Sequence, residues 1–367
     1  MSTRVIMLVD LDYFFAQCEE LRNPALRDKP VVVCVYSGRS KDSGAVSTAN
    51  YIARKYGVKS GMPIFLAKKK LESVDAAFLP VDHQFYEEVS EKVMNLLEAY
   101  ADQFEQVGID EAYLDVTERV GGSFQEAKLL AETIKTEMRH QQKLTCSVGV
   151  GPNKLVAKIA ADEKKPDGLT VIDPVSITSF LAPLPVNRLI GVGTKTLEKM
   201  QTLGISKVGD LANYDVQKLI AVFGKTLGTY FHNASLGVDN EPVQERGEAE
   251  SISRIATLKQ DTKDLTLILD ETDHLCNEVY DRIMEEKLTF KTVGIIAITK
   301  DMKVHTRSRT FENPSNSLEL MKKTVAELFV KFQSDTQLET RRVGVKVSTL
   351  TGIGKSQRQI TSFIEPG

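Results

Sequence analysis

Apolar positions in this chain fall into two patterns, short continuous runs and stripes at helical spacing. Residues 5–9 form an unbroken apolar run that stops at Asp10, which predicts a buried strand. Residues 84–100 carry Phe85, Val89, Val93, Leu96 and Leu97 at helical spacing. Residues 124–140 do the same with Phe124, Ala127, Ala131, Ile134 and Met138. Between these helices, residues 104–107 and 112–116 are short strand-like segments that predict a hairpin around Gly108–Glu111. Residues 144–150 read as a strand closed by the turn Gly151-Pro152, and residues 169–172 as a further strand. With the segment between Asp10 and about Leu79 set aside, the order is strand, helix, strand, strand, helix, strand. That is the split βαβ, ferredoxin-like pattern, in which the first strand lies beside the central hairpin. The segment set aside then reads as an insertion, with a strand in PVVVCVY and a short helix over 49–56.

The pattern changes after residue 172. Residues 173–237 are helical and punctuated by glycine, and residues 238–250 are polar enough to predict an interdomain linker. Beyond them the strand and helix order recurs, with strands over 252–258, 293–300, 304–311 and 343–349 and helices over 265–286 and 318–332. The expected architecture is therefore a multidomain α+β chain, with a helical segment between two split βαβ units. The tail from 352 has too few apolar residues to join a core.

Composition narrows the function more than the fold. A chain of 367 residues suggests two to four domains. Its formal net charge of -3 excludes a protein coated in basic charge but not a local basic groove. The four cysteines are scattered without a CxxC pair, as expected of reduced thiols, and the histidines are isolated, which argues against a histidine metal cage. Asp10 interrupts the only N-terminal apolar run and no stretch approaches a membrane span, so a cytoplasmic protein is expected.

The candidate chemistry lies where the predicted strands end. Asp10, Asp110 and Glu111 would meet if the first strand pairs with the hairpin, and three carboxylates in one site repel one another unless cations neutralise them. Two divalent ions roughly 3.5–4 Å apart do this while clamping an in-line phosphoryl displacement. Oxygen ligands alone point to Mg²⁺. Asp12 and Asp115 read as structural. Thr48, Tyr51 and Arg54 are spaced by three, on one face of the predicted helix with Thr48 as its N-cap; the set suits a triphosphate, but an ordinary amphipathic surface helix carries the same spacing, and Lys165 reads either as a further phosphate contact or as a solvated turn lysine. Phe14 reads as core, and Phe15 either as core or as a ring packed under the sugar, where a 2′-hydroxyl would clash. A turn on Gly191 and Gly193 in LIGVGTKTLEKMQTLGI has the helix-hairpin-helix form that lets backbone N–H groups reach a DNA phosphate. In VHTRSRTF the residues His305, Arg307 and Arg309 share one side, and in RRVGVKVST Arg342 and Lys346 do, which predicts a basic open sheet face along DNA. In the tail, Gln357, Ile360, Phe363 and Ile364 suit one helical turn that plugs a partner's hydrophobic pocket.

With VDLDYFFAQ, SGAVSTANYIARKYGVKSGMP, GIDEAYLD, VGVGPNKLVAKIAAD, KKPDG and SRTF in this order, the chain resembles the Y-family of translesion DNA polymerases, in its DNA polymerase IV-like branch, from Val5 to about Leu350. The resemblance implies a palm (1–14 and 80–172), fingers (15–79), a helix-hairpin-helix thumb (173–237), a linker (238–250), a little finger (251–350) and a clamp-binding tail (351–367). It implies that Asp10, Asp110 and Glu111 are the metal ligands, joined by the backbone carbonyl of Leu11, with Asp110 and Glu111 catalytic. Phe14, Phe15, Thr48, Tyr51, Arg54 and Lys165 become nucleotide contacts, and Phe15 the gate against ribonucleotides. Val35, Gly44 and Ala45 become a roomy pocket over the templating base. The implied cofactor is Mg²⁺, two per site, with Mn²⁺ able to substitute. The implied partners are primer-template DNA, deoxynucleoside triphosphates and a sliding clamp at the tail, for a monomer that meets no membrane. Two departures stand out: GIDE replaces the more usual SIDE, and the tail ends in Phe-Ile where two aromatics are common. The expected activity is low-fidelity, template-directed synthesis past damaged bases without proofreading, since no segment resembles an exonuclease site. A palm-type nucleotidyl cyclase and a non-catalytic DNA-binding protein are the alternatives.

Overall fold

The structure is a computed structural model that describes residues 4–245, 247 and 249–352. The chain opens on β1 (Ile6–Leu11) and α1 (Phe14–Arg22), followed by β2 (Val31–Tyr36), β3 (Gly44–Ala49), α2 (Tyr51–Lys55), α3 (Ile64–Lys70) and β4 (Ala77–Pro80). Next come α4 (His83–Glu98), the hairpin of β5 (Gln103–Gln106) and β6 (Glu111–Asp115), α5 (Phe124–Glu137), β7 (Cys146–Gly151), α6 (Lys154–Ala161) and β8 (Leu169–Val171). A helical stretch holds α7 (Ile177–Leu181), α8 (Thr194–Thr202), α9 (Val208–Ala212) and α10 (Val216–Ser235). The last elements are β9 (Ser251–Thr262), α11 (Leu265–Glu285), β10 (Leu288–Thr299), β11 (Val304–Ser315), α12 (Leu318–Thr336) and β12 (Thr340–Gly352). Two compact units result, Met1–Cys34 with Val46–Gly61 and Lys68–Arg246, and Val35–Ala45 with Met62–Ala67 and Gly247–Gly367.

In the first unit the central sheet has the order β5-β6-β1-β7-β8. Its first four strands are the ferredoxin-like arrangement that the sequence predicts. β1 pairs antiparallel with β6, and the register sets Asp10 opposite Glu111. One face buries Met7, Val9 and Leu11 against Val93 and Leu97 of α4 and Ile134 of α5. The other buries Ile6 and Leu8 with Tyr113, Ala157 and Ala161. Both faces of β1 are covered, so its apolar run is continuous rather than alternating. Gly149 on β7 decides how near α6 comes: a Cβ there would lie 2.0 Å from the Ala157 carbonyl oxygen, so only glycine admits the helix.

The predicted linker is largely not one. Val243 is buried against Ile6 and Leu8. The Asn153 amide donates to Gly237 O at 2.7 Å, Leu155 N to Asp239 Oδ2 at 3.0 Å, and Arg4 Nη1 to Glu241 O at 3.0 Å. Residues 237–244 are thus a strap on the α6 side of the sheet. Their polarity misled because most of these residues do face solvent, while the segment is held by the buried Val243 and a few hydrogen bonds to distant partners.

In the second unit the sheet order is β11-β10-β12-β9, with α11 and α12 packed on one face around Ile268, Val279, Phe329 and Phe332. The element order matches the first unit, and β12 splits the β9-α11-β10 unit. The pairing differs, because the central strands are now the second and fourth of the unit. Arg39, in the segment that joins this unit from earlier in the chain, donates to Leu258 O at 2.6 Å and pairs with Asp261.

Among the described residues no helix is long and apolar enough to cross a membrane. Among the described residues the four cysteines form no disulfide, and all are buried, as expected of structural thiols.

Candidate active site

A pocket of about 410 Å³ opens beside the ends of β1 and β6. Asp10, Leu11, Asp12, Tyr13, Phe14 and Phe15 line it together with Ser47, Thr48, Tyr51, Arg54, Ser60, Asp110, Glu111, Lys158 and Lys165. Two of the three carboxylates arrive by strand geometry. Asp10 shares its face of β1 with Ile6 and Leu8, and Glu111 shares its face of β6 with Tyr113, so both point toward α6. Asp110 sits in the hairpin turn, where its carbonyl accepts Leu11 N at 2.8 Å. Burial first, and then the charges of Asp10 and Glu111, push the Asp110 carboxyl up to about 6.

Of the two cations at the site, Lys165 is a residue the sequence singles out and Lys158 is not. Lys158 on α6 donates to Asp10 Oδ2 at 2.9 Å and also pairs with Glu111. Lys165 donates to Asp10 Oδ1 at 2.7 Å and to Asp162 at 2.9 Å. Burial works to raise the Asp10 pKa, but the two ammoniums outweigh it and hold the carboxyl below its ordinary value. In KLVAKIAA nothing marks Lys158 as different from a solvated lysine. Its role follows from the close approach of α6 at Gly149.

Asp12 is structural, as predicted. It is 1% exposed and accepts from Thr145 Oγ1 at 2.9 Å, Ser147 Oγ at 2.7 Å and Asp167 N at 2.8 Å. Through Asp167 it also holds the turn that presents Lys165. Asp12→Ala strands three donors and is expected to cost about 3 kcal/mol, read as a lower denaturant midpoint. A loss below about 1 kcal/mol would contradict this bracing role. Asp115 accepts from Thr117 N at 3.0 Å and from its hydroxyl at 2.5 Å, away from the pocket lining.

The polar cradle differs from its prediction in one respect. Thr48 lies on β3, and the cap of α2 is Asn50, whose side chain accepts from Ala53 N. The three-residue spacing therefore spans a strand end and a helix start rather than one helical face, although Thr48, Tyr51 and Arg54 still line the same pocket. Arg54 is fixed by Nε donating to Ala49 O at 2.8 Å, and its guanidinium lies 4.6 Å from the Tyr51 ring centroid. Phe14 is 2% exposed, a core residue that touches the pocket edge. Phe15 is partly exposed and stacks on Tyr86 with centroids 4.4 Å apart.

Val35, Gly44 and Ala45 belong to the other compact unit. Gly44 has a packing reason of its own, since a Cβ there would lie 2.2 Å from Val35 O. In the helical stretch Gly191 has φ +84, a conformation that favours glycine, and Gly193 precedes α8 with nothing within 4 Å of an added Cβ. The turn before it is a short 3₁₀ segment, Val186–Arg188, instead of a full helix.

One predicted face is reversed. His305, Arg307 and Arg309 lie on the helix-covered side of β11, not on an open basic face. The His305 ring is 5.5 Å from Phe332, Arg307 pairs with Asp335 at 2.9 Å, and Arg309 pairs with Glu327 at 2.5 Å, all partners on α12. The signal was available in Phe311, which has the same parity as these three and packs on the core. Val304, Thr306, Ser308 and Thr310 hold the open side. On β12 the prediction stands: Val343, Val345 and Val347 are buried, and Lys346 is exposed opposite them with Arg342 half-buried. The tail residues Gln357, Ile360, Phe363 and Ile364 lie outside the described residues.

Comparison with known proteins accounts for nearly the whole chain. Residues 9–162 match the impB/mucB/samB family, residues 249–362 its C-terminal domain, and residues 187–239 the DNA polymerase-iota thumb domain. The chain is 47% identical over 364 residues to DNA polymerase IV of Nitrosopumilus maritimus, covering 99% of this chain and 100% of that protein. It is 44% identical to DNA polymerase IV 1 of Methanosarcina mazei, with coverage of 99% and 100%. A solved Y-family DNA polymerase chimera of Dbh and Dpo4 superposes with a TM-score of 0.89 at 38% identity, covering 95% of this chain and 99% of that one. An insertion ternary complex of Dbh DNA polymerase gives 0.69 at 38% identity with the same coverage.

Proposed function

The chain belongs to the impB/mucB/samB family and is a Y-family, DNA-directed DNA polymerase, and we propose that it synthesises past damaged template bases by Mg²⁺-dependent two-metal-ion nucleotidyl transfer without proofreading. That membership displaces the nucleotidyl cyclase and the non-catalytic DNA-binding protein as readings. It also implies a dependence on divalent metal.

The observation that carries the proposal is the convergence of Asp10, Asp110 and Glu111 on one pocket with Thr48, Tyr51, Arg54 and Lys165. The donor set fits a hard dication, because it offers carboxylate oxygens and the Leu11 carbonyl with no sulfur or imidazole. The Asp110 carboxyl is raised by its burial first and then by the charges of Asp10 and Glu111 beside it. Bound there, dications would supply Lewis-acid activation of the primer hydroxyl and neutralise the departing pyrophosphate. Asp10, Asp110 and Glu111 would hold them. Arg54 and Lys165 bind the triphosphate as fixed cations, with the Thr48 and Tyr51 hydroxyls as donors. Phe15, braced by Tyr86, sets the position of the sugar. Gly191 and Gly193 offer backbone N–H groups to a DNA phosphate, and Arg342 and Lys346 follow the duplex backbone on the open sheet face. Val35, Gly44 and Ala45 leave room over the templating base, and the tail residues Gln357, Ile360, Phe363 and Ile364 bind a sliding clamp.

Primer extension on undamaged and abasic templates, with and without a clamp, tests these points together, using the full chain and a chain ending at Ser356. Extension through the abasic site is expected from both, and clamp stimulation from the full chain only. A stall at the lesion, with normal copying elsewhere, would remove the translesion assignment. Stimulation that survives truncation would remove the tail assignment.

A further inference from the structure

Lys158 stands where a cofactor ion would be expected to make contact. Its Nζ donates to Asp10 Oδ2 at 2.9 Å and pairs with Glu111, while Lys165 takes the other Asp10 oxygen at 2.7 Å. Both oxygens of Asp10 are therefore engaged by ammonium groups. Among the described residues no group of three acidic, histidine or cysteine side chains forms a ready metal cage. The three carboxylates share a pocket, but the space between two of them belongs to a lysine.

The two lysines are not equivalent. Lys165 keeps a second anion, Asp162, when it leaves Asp10. The ion pairs of Lys158 are those to Asp10 and Glu111, two of the proposed metal ligands. Its backbone cannot retreat, because α6 is seated on Gly149 and its N-terminus is capped by Asn153. Only the flexible four-carbon stem can move the ammonium. The side chain is 23% exposed, so solvent screens the pair incompletely.

We propose that Lys158 is the internal counter-cation of the metal site, held by Asp10 and Glu111 in the metal-free enzyme and obliged to release Asp10 before a divalent ion binds that oxygen. The inference rests on the metal-site reading above. It makes metal binding a competition against an intramolecular ion pair, which lowers affinity for the free ion and keeps the carboxylates together while no ion is present. A purely structural salt bridge predicts the opposite outcome: its loss would let Asp10 and Glu111 splay, and metal would bind more weakly.

The test is Mn²⁺ titration of the full chain without DNA or nucleotide, with free Mn²⁺ followed by electron paramagnetic resonance. Lys158→Met should bind Mn²⁺ roughly tenfold more tightly than wild type, since a like charge next to the ion is removed. Lys158→Gln should shift in the same direction, which keeps the test available if the methionine variant folds poorly. Lys158→Arg, which retains the charge, should bind no more tightly than wild type. The rise in melting temperature on adding Mn²⁺ should be larger for Lys158→Met than for wild type. Equal or weaker Mn²⁺ binding by both neutral variants would overturn the proposal. Asp10→Asn separates the two levels: unchanged Mn²⁺ affinity there would refute the metal site itself, whereas a loss there with no gain at Lys158 refutes only the role of the lysine.

Discussion

Replacing Glu111 with alanine is expected to reduce primer extension by about 10³-fold or more while DNA affinity stays within a few-fold of wild type. Removing a metal ligand withdraws several kcal/mol of transition-state stabilisation, and about 1.4 kcal/mol is a factor of ten. The fold should tolerate the change. Glu111 begins β6, and its backbone pairing opposite Asp10 does not require the side chain. The side chain is 26% exposed, so its loss opens no sealed cavity. Lys158 would keep Asp10 as a partner. Asp110→Ala should give a loss of the same order, whereas Asp115→Ala, at the far end of the same strand, should leave extension near wild type. Single-turnover extension with a binding measurement on the same primer-template distinguishes chemistry from affinity. Extension by Glu111→Ala within tenfold of wild type would remove Glu111 from the metal set.

What the sequence made visible depended on whether the physical cause was local. β1 could be read because both of its faces are buried, and the βαββαβ order then placed Asp10 opposite Glu111 across a hundred residues of chain. α1 was not predicted from its pattern, because its buried positions include Gln17, Glu19 and Glu20. Each is satisfied by a distant partner: Thr145 for Gln17, Tyr86 for Glu19 and Asn50 for Glu20. The same non-local satisfaction hid the strap over residues 237–244. On β11, alternation showed that residues sort to two sides but not which side a helix covers, and Phe311 alone carried that information. Lys158 was hidden most completely. Its meaning depends on a glycine on another element that lets α6 approach within hydrogen-bonding reach of Asp10.

Phe15→Ala is expected to admit ribonucleotides, lowering the preference for deoxynucleotides by about 100-fold in kcat/KM, on the scale of steric discrimination in a small pocket. The ring is one of the pocket-lining side chains that can exclude a sugar substituent by shape alone, and its position is fixed. It stacks on Tyr86 at an interplanar angle of 20°, and the His83 ring meets its edge at 6.0 Å. Tyr86 is itself anchored by donating to Glu19 at 2.7 Å, so the aromatic pair does not drift with the nucleotide. A gate of this kind discriminates by a clash that the correct substrate never meets. Deoxynucleotide incorporation should therefore fall much less than ribonucleotide incorporation rises. Phe15→Leu, which keeps bulk but not a planar ring, should give an intermediate preference and guards against a packing defect from the smaller side chain. The measurement is single-nucleotide incorporation of matched ribo- and deoxyribonucleotides opposite one template base. A preference unchanged in both variants would mean that sugar selection rests on another wall of the pocket, with Tyr13 the next candidate because its ring packs edge-on against Tyr51 at 5.4 Å.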